Sequence, residues 1–234
     1  MSRRQLTLQQ AAESLGIEPG QLKTLVVHGE IFAEERRGTY VFQQEDLDLW
    51  YSKRLIHGET GAKKGRWPSR EASAPSNAVS LAELCPPECI SAALPGISRN
   101  AIIRALTELA DQSGFLYDPD DLCREITRRE ELGSTNVGNG IAIPHTLTRD
   151  EGYFSESFIC LARLAKPSYF NTAPDDSPTD ILILSCALTS EEHLAILSRI
   201  GRLCRETPFA ESVRTAENAQ EIREVLCQSE ALLN

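Results

Sequence analysis

Residues 129–145, REELGSTNVGNGIAIPH, combine three glycines, a turn dipeptide and a proline in one short stretch. Asn139-Gly140 is a preferred pair for the centre of a two-residue hairpin, and the apolar residues after it can continue as a strand. Pro144 fixes its own φ and keeps the residue before it out of helical geometry. The pattern predicts a tight hairpin whose second strand, residues 141–143, displays His145 at a stiff strand end.

Helices and strands alternate through residues 79–234. Residues 98–113 have apolar side chains at helical spacing behind Ser98, and Asp118-Pro119 starts a second helix that Gly133 ends. The run ILIL within residues 180–188 is apolar on both faces of a strand, which predicts a central strand covered by helices on both sides. The other expected elements are a strand at 158–164, a long helix capped by Ser190, a last helix at 218–227, and loops at 150–153 and 166–179. This order predicts an α/β sandwich.

Residues 6–54 predict a smaller unit of a different design. The expected elements are a helix capped by Thr7, a second helix from Pro19 to Gly29, a hairpin within residues 31–42 and a third helix at 45–55. Residues 57–78 are rich in Gly, Ser, Ala and Pro without an apolar period, which is typical of a flexible linker. We therefore predict a module at 1–56, a linker at 57–78 and a larger domain at 79–234.

Charge is unevenly divided along the chain. Residues 1–70 carry 11 Lys and Arg against 9 Asp and Glu, whereas residues 71–234 carry 13 against 25. The acidic part would repel phosphates, so we do not expect it to bind nucleic acid. No apolar run approaches membrane-spanning length and the N-terminus lacks a signal-peptide core, which predicts a cytoplasmic protein without membrane insertion.

The seven cysteines lie mostly in apolar contexts, where buried reduced thiols are expected. Cys85 and Cys89 have a C-x-x-x-C spacing without a second ligand pair, which falls short of a zinc site. Asp175-Asp176 is an acidic loop pair that we expect to be solvated. No metal site and no cofactor is predicted.

Residues 129–145 closely resemble the active-site signature of the IIA domains of the fructose, mannitol and nitrogen-regulatory branch of the bacterial phosphotransferase system. An Arg-Glu pair, a Gly-Ser-Thr turn, a Gly-x-Gly hairpin and an apolar strand closing on Pro-His occur in the family's order. The resemblance implies a mixed sheet sandwiched by helices. It also implies that His145 accepts a phosphoryl group from the phosphocarrier protein HPr or its nitrogen-branch counterpart. The family usually has glycine after Pro-His, where this chain has Thr146.

Four further residues are expected to serve His145. His193 resembles the family's histidine that hydrogen-bonds the phosphoryl group, and the positive end of its helix disfavours imidazolium. Arg129, at the end of its helix, can fork onto two phosphoryl oxygens. Ser134 and Thr135 supply hydroxyls close by. Each residue alone also fits a structural role, and their joint occurrence in the family's order favours the functional one.

The order of elements in residues 6–54 resembles the excisionase and MerR-like winged helix-turn-helix family. In that family the second helix enters the DNA major groove and the hairpin wing touches the backbone. The positions assigned to DNA on this resemblance are Lys23, Thr24 and His28 on the second helix, and Arg36 and Arg37 on the wing. Glu34 and Glu35 beside the wing arginines leave a protein-docking module as an open alternative.

These features predict a cytoplasmic regulatory phosphocarrier of the phosphotransferase system. Its expected partners are an HPr-type phosphocarrier, regulated proteins, and DNA through the N-terminal module. The alternative is a IIA-like interaction or DNA-binding regulator without phosphotransfer, a reading that Thr146 motivates.

Overall fold

The chain consists of two compact units, Met1–Ala78 and Val79–Asn234. The structure, a computed structural model, describes residues 5–15, 17–36, 38–44, 46–47, 50, 79–146 and 152–233. The predicted linker therefore lies outside the described residues. No helix in the described part of the chain combines the length and the hydropathy that a membrane-spanning segment needs.

Within the described residues, the first unit has two complete helices and a three-stranded antiparallel sheet, and residues 44, 46, 47 and 50 are also helical. Its elements are β1 (Gln5–Thr7), α1 (Leu8–Leu15), α2 (Pro19–Val27), β2 (Glu34–Arg36) and β3 (Thr39–Gln43), with sheet order β1-β3-β2. Thr7 caps α1 by accepting a hydrogen bond from the Gln10 amide, as predicted. Strand β1 was not predicted, because three residues are too few for a recognisable alternation. Most of the predicted third helix lies outside the described residues, although Leu47 within it is buried.

A five-stranded mixed sheet forms the centre of the second unit. Its strands are β4 (Ile90–Leu94), β5 (Asn136–Gly138), β6 (Ile141–Ala142), β7 (Phe158–Ser168) and β8 (Thr179–Cys186). The order across the sheet is β4-β7-β8-β6-β5. Strand β7 is parallel to β4 and antiparallel to β8, while β6 is parallel to β8 and antiparallel to β5. The predicted α/β fold with a mixed sheet is confirmed.

Helices cover this sheet on both sides. They are α3 (Leu81–Leu84), α4 (Arg99–Asp111), α5 (Pro119–Leu132), α6 (Ser190–Glu206), α7 (Phe209–Thr215) and α8 (Ala219–Ala231). Helices α4 and α5 share a core with Leu182 and Leu184 of β8. Ile181 and Ile183 alternate with them and are equally buried, and α6 and α7 also pack on β8. The ILIL run is therefore central, as predicted.

Three features of the second unit differ from the sequence expectation. Strand β7 continues to Ser168, although residues from 166 onward were predicted as a loop. Strand β4 was not predicted, because its centre, Ser-Ala-Ala, has no strong strand preference. Helix α7 was also not predicted, since seven residues are too few to establish a helical period.

Candidate functional site

The hairpin between β5 and β6 turns at Asn139 and Gly140. Their φ angles are 50° and 73°, as the central positions of a type I′ turn require, so the predicted turn is confirmed. A Cβ on Gly140 would lie 2.5 Å from Oδ1 of Asp180. Glycine is therefore required here both by the backbone and by the space available.

Two side chains distant in sequence clamp this hairpin. The Asp175 carboxylate accepts hydrogen bonds from the Asn139 amide and the Ser177 hydroxyl, each at 2.7 Å. These bonds lower the pKa of Asp175 from 3.8 to about 2. Arg214 of α7 forms an ion pair with Asp180 at 2.7 Å and also donates to the Asn139 carbonyl. Asp175 is exposed, as expected of a solvated loop residue, and its bond to the hairpin is an additional role. No local pattern marked either of these two contacts.

His145 lies just beyond β6, beside the carboxyl end of β8. Ser185 of β8 donates its backbone N–H to the Pro144 carbonyl at 2.9 Å, and Ser185 pairs in parallel with His145. The position at a strand end that the Pro-His pattern predicted is therefore observed.

Two contacts select the tautomer of the His145 imidazole. Nδ1 lies 2.8 Å from the Ile143 carbonyl oxygen, and Nε2 lies 3.1 Å from Nε of Arg129. A carbonyl oxygen only accepts and a guanidinium only donates, so the proton is on Nδ1 and the lone pair is on Nε2. The ring therefore presents Nε2 as a nucleophile.

Arg129 reaches this nitrogen from the last turn of α5. Its guanidinium also donates to the Gly133 carbonyl at 2.7 Å, which holds it across the end of its own helix. The side chain is 1% exposed. A buried guanidinium strongly favours an anion at its side, because little water screens the charge.

His193 lies against His145, with 4.9 Å between the ring centroids and 51° between the ring planes. It occupies the first turn of α6, but the predicted cap Ser190 is wrong. Thr189 is the N-cap, its hydroxyl accepts from the Glu192 amide at 3.1 Å, and Glu192 completes a capping box. The Ser157 hydroxyl also donates to Glu192 at 2.7 Å, so the residue just before β7 is bonded to α6 at the position preceding His193.

Ser134 and Thr135 lie on the loop between Arg129 and the hairpin, and their hydroxyls bond within that loop. Thr135 donates to the buried carboxylate of Glu130, and Ser134 accepts from the Asn136 amide at 3.1 Å. Asn171 also donates to Glu130, at 2.7 Å. Glu130 is a site residue that sequence reasoning missed, although the Arg-Glu pair of the motif pointed to it.

His145 and His193 are more deeply buried than the sequence predicted. His145 is 2% exposed and His193 is 1% exposed, so the prediction of a displayed histidine is wrong in this respect. The strand end is observed, but Arg129 from α5 and His193 from α6 lie over the ring. These two side chains form the cover of this pocket, which leaves the His145 imidazole almost without solvent contact.

The described residues contain no group of three or more His, Cys, Asp or Glu side chains that could hold a metal ion. Cys85 and Cys89, the C-x-x-x-C pair, are both buried, and neither forms a disulfide. Burial raises the pKa of Cys85 to about 12, which disfavours the thiolate that metal binding and thiol redox chemistry need.

The residues assigned to DNA in the first unit lie mostly at its surface. Lys23, Thr24 and His28 are exposed on and just after α2. Thr24 donates its hydroxyl to the Gly20 carbonyl at 3.0 Å, and Arg36 donates to Glu34 at 2.8 Å. The predicted wing residue Arg37 lies outside the described residues.

The fold agrees with a family defined by sequence. The model of the phosphoenolpyruvate-dependent sugar phosphotransferase system, EIIA 2, matches residues 83–229. The chain belongs to this family. Residues 1–82 lie outside the match.

Individual relatives support the assignment. A nitrogen regulatory protein of Bradyrhizobium diazoefficiens is 35% identical over 151 residues, which cover 62% of this chain and 94% of the relative. A fructose-specific EIIA component of Haloferax volcanii is 33% identical over 150 residues, which cover 63% of this chain and 95% of the relative.

Solved structures share the fold. The structure of the nitrogen regulatory protein IIA-Ntr from Neisseria meningitidis has a TM-score of 0.55 and 26% identity, covering 62% of this chain and 97% of that chain. IIA mannitol from Escherichia coli shares the fold, with a TM-score of 0.51 at 20% identity over 59% of this chain and 96% of that one.

Proposed function

We propose that residues 79–234 form a cytoplasmic phosphocarrier domain whose His145 accepts a phosphoryl group from an HPr-type protein. The observation that carries this proposal is the hydrogen bond from Nε of Arg129 to Nε2 of His145, at 3.1 Å. It places a buried cation at the one ring nitrogen that has a lone pair. The nitrogen that would attack phosphorus, Nε2 of His145, therefore already lies beside Arg129, which would bind the phosphoryl oxygens.

The transfer is a displacement at phosphorus between two imidazoles. The lone pair on Nε2 forms the new N–P bond, the N–P bond of the donor histidine breaks, and its electron pair stays on the donor ring. The Nδ1 proton of His145 stays in its hydrogen bond with Ile143. Arg129 exchanges its hydrogen bond to Nε2 for bonds to the phosphoryl oxygens. No metal takes part in this scheme.

His193, Ser134 and Thr135 support this chemistry in different ways. The His193 ring is close enough to His145 to contact a phosphoryl group on it, since their centroids are 4.9 Å apart. The hydroxyls of Ser134 and Thr135 bond to the Asn136 amide and to Glu130. We infer that the hydroxyls of Ser134 and Thr135 hold the short loop between the hairpin and α5, the helix that carries Arg129.

Phosphorylation provides a means of regulation. A phosphoryl group adds about 1.5 to 2 negative charges beside Arg129 and His193, and the cover of the pocket must adjust to hold it. A partner protein that contacts this cover would therefore distinguish the two states. The nitrogen regulatory relative supports a regulatory role of this kind.

The proposal is tested by incubating the full chain with Enzyme I, HPr and radiolabelled phosphoenolpyruvate. We expect an acid-labile label that is lost in His145→Ala and retained in His28→Ala, because His28 is exposed in the other unit. A label that survives His145→Ala would refute the assignment of His145.

An interaction protein without phosphotransfer is the second candidate. Two observations favour it: His145 and Thr146 are each 2% exposed. A partner would then bind the closed domain, and no donor would reach Nε2. Complete absence of label on the wild-type chain, with a known IIA protein labelled in the same mixture, would support this alternative.

We infer that residues 1–56 form a winged helix-turn-helix module, that residues 57–78 form a linker, and that the module contacts DNA through α2. Exposed Lys23 and His28 support this reading, whereas the pairing of Arg36 with Glu34 weakens it. Titration of the full chain with random duplex DNA should show an affinity that falls as the salt concentration rises. Lys23→Ala should reduce the slope of log binding constant against log salt concentration by about one. If no salt-dependent binding is seen, protein docking is the remaining role for the module.

A further inference from the structure

A buried serine lies directly beside His145 on the neighbouring strand. Ser185 is 1% exposed, and its hydroxyl has no hydrogen-bond partner among the described residues. Its backbone N–H is satisfied by the Pro144 carbonyl at 2.9 Å, so the strand pairing itself does not require a hydroxyl here. A buried polar group without a partner is costly and calls for an explanation.

Three other buried hydroxyls of this unit have hydrogen-bond partners. Thr107 donates to the Ile103 carbonyl at 2.9 Å and Thr179 donates to the Asn136 side chain at 2.8 Å. Thr135 donates to Glu130. Ser185 differs from these in its position, because it is paired with the proposed phosphoryl acceptor.

The strand register puts the Ser185 and His145 side chains on the same face. The two residues form a parallel bridge, and residues paired in this way project to the same side of a sheet. Adjacent strands are about 4.8 Å apart, so the hydroxyl and the imidazole project side by side. The helix that covers this pair, α6, brings His193 to the same place.

We propose that Ser185 is a phosphoryl-binding residue, which donates its hydroxyl hydrogen to an oxygen of the phosphoryl group carried by His145. This inference rests on the proposed function. Arg129 contributes positive charge and Ser185 contributes a neutral donor from the adjacent strand. No bond to Ser185 forms or breaks, and its proton stays on its oxygen throughout the transfer.

The proposal predicts that the Ser185 hydroxyl does not stabilise the unphosphorylated domain. Because the hydroxyl has no partner before phosphorylation, Ser185→Ala should melt at the same temperature as the wild type or higher. A serine that merely stabilised the fold through a hydrogen bond would give a lower melting temperature.

The phosphorylated state should respond in the opposite way. In the full chain equilibrated with phosphorylated HPr, Ser185→Ala should lower the equilibrium constant for transfer to His145 by about tenfold or more, as expected for a lost bond to a charged group. Ser185→Cys, with a weak S–H donor, should lower it in the same direction, and Ser185→Thr, which keeps a hydroxyl, should lie closer to the wild type.

Cys186→Ala is the matched control, because Cys186 is the next residue on β8 and packs into the core on the other side of the sheet. It should lower the melting temperature and leave the transfer equilibrium unchanged. If the wild type is phosphorylated and both Ser185→Ala and Ser185→Cys transfer within about twofold of it, the role of Ser185 is wrong while that of His145 stands. If the wild type takes no phosphate at all, both proposals fail together.

Discussion

Nε of Arg129 donates a hydrogen bond to Nε2 of His145 across 3.1 Å, within a pocket where both side chains are almost fully buried. Under the proposed function, the cation lies where the phosphoryl group would bind. The same contact would then orient the nucleophilic nitrogen and place a positive charge beside the incoming anion.

Arg129→Lys should slow phosphorylation of His145 by roughly 10²-fold, the usual effect of removing one donor from a preorganised anion site. Lysine keeps the charge but loses the planar fork and the Nε donor. The rate of label transfer from phosphorylated HPr measures this effect. Arg128→Lys is the control, because its side chain is 56% exposed on the same helix. Equal rates for Arg129→Lys and wild type would contradict the proposed role.

Chemical modification should separate the histidines by burial. Diethyl pyrocarbonate should acylate exposed His28 rapidly and leave His145 and His193 largely unmodified, because these are 2% and 1% exposed. Mass spectrometry of peptides after short exposures measures each site. In mild denaturant, His28, His145 and His193 should be acylated at similar rates. Rapid modification of His145 in the native chain would mean that the pocket is open in solution.

Stability between pH 4 and pH 2 should depend on Asp175. The pKa of Asp175 is lowered from 3.8 to about 2, chiefly by the Asn139 amide, so its ionised form stabilises the fold above the unfolded pKa. That contribution disappears as the pH falls from about 4 to about 2. Asp175→Asn should therefore lower the melting temperature at pH 7, and the difference from wild type should shrink across this range.

Asp176→Asn is the control for Asp175, because among the described residues its carboxylate makes no hydrogen bond to the hairpin. It should lower the melting temperature at pH 7 by less than Asp175→Asn does. If the difference between wild type and Asp175→Asn is the same at pH 7 and pH 2, the Asn139 contact does not stabilise the fold as described.

Gly140→Ala should reduce the free energy of unfolding by about 1–3 kcal/mol or more, the usual cost of a strained backbone conformation. Its φ of 73° disfavours a side chain, and the new Cβ would meet Asp180 at 2.5 Å. Gly114→Ala is a matched control, since Gly114 has the same φ of 73° and nothing within 4 Å. Denaturant titration measures the free energy of unfolding of both variants. Gly114→Ala reports the backbone strain alone, and the additional loss in Gly140→Ala reports the clash with Asp180. Equal losses would show that the Asp180 contact relaxes without cost.

Local chemistry accounts for what could be predicted. The Asn-Gly turn, the Pro-His strand end and the caps at Ser98 and Asp118 depend on residues within a few positions of each other. Such features follow from backbone preferences and nearby hydrogen bonds, so they can be read along the chain. The cap of α6 was misplaced by one residue, because Thr189 and Ser190 are both good N-cap residues and Glu192 decides between them.

Sequence alone determined that His145 ends a short strand behind a hairpin and that Arg129 ends the preceding helix. Tertiary structure decided that these two meet, that His193 joins them from α6, and that the pocket is closed. It also decided that Ser185 is the neighbour of His145, because strand register is set by packing of the whole sheet. Pairings of this kind depend on residues tens of positions apart, which no local preference specifies.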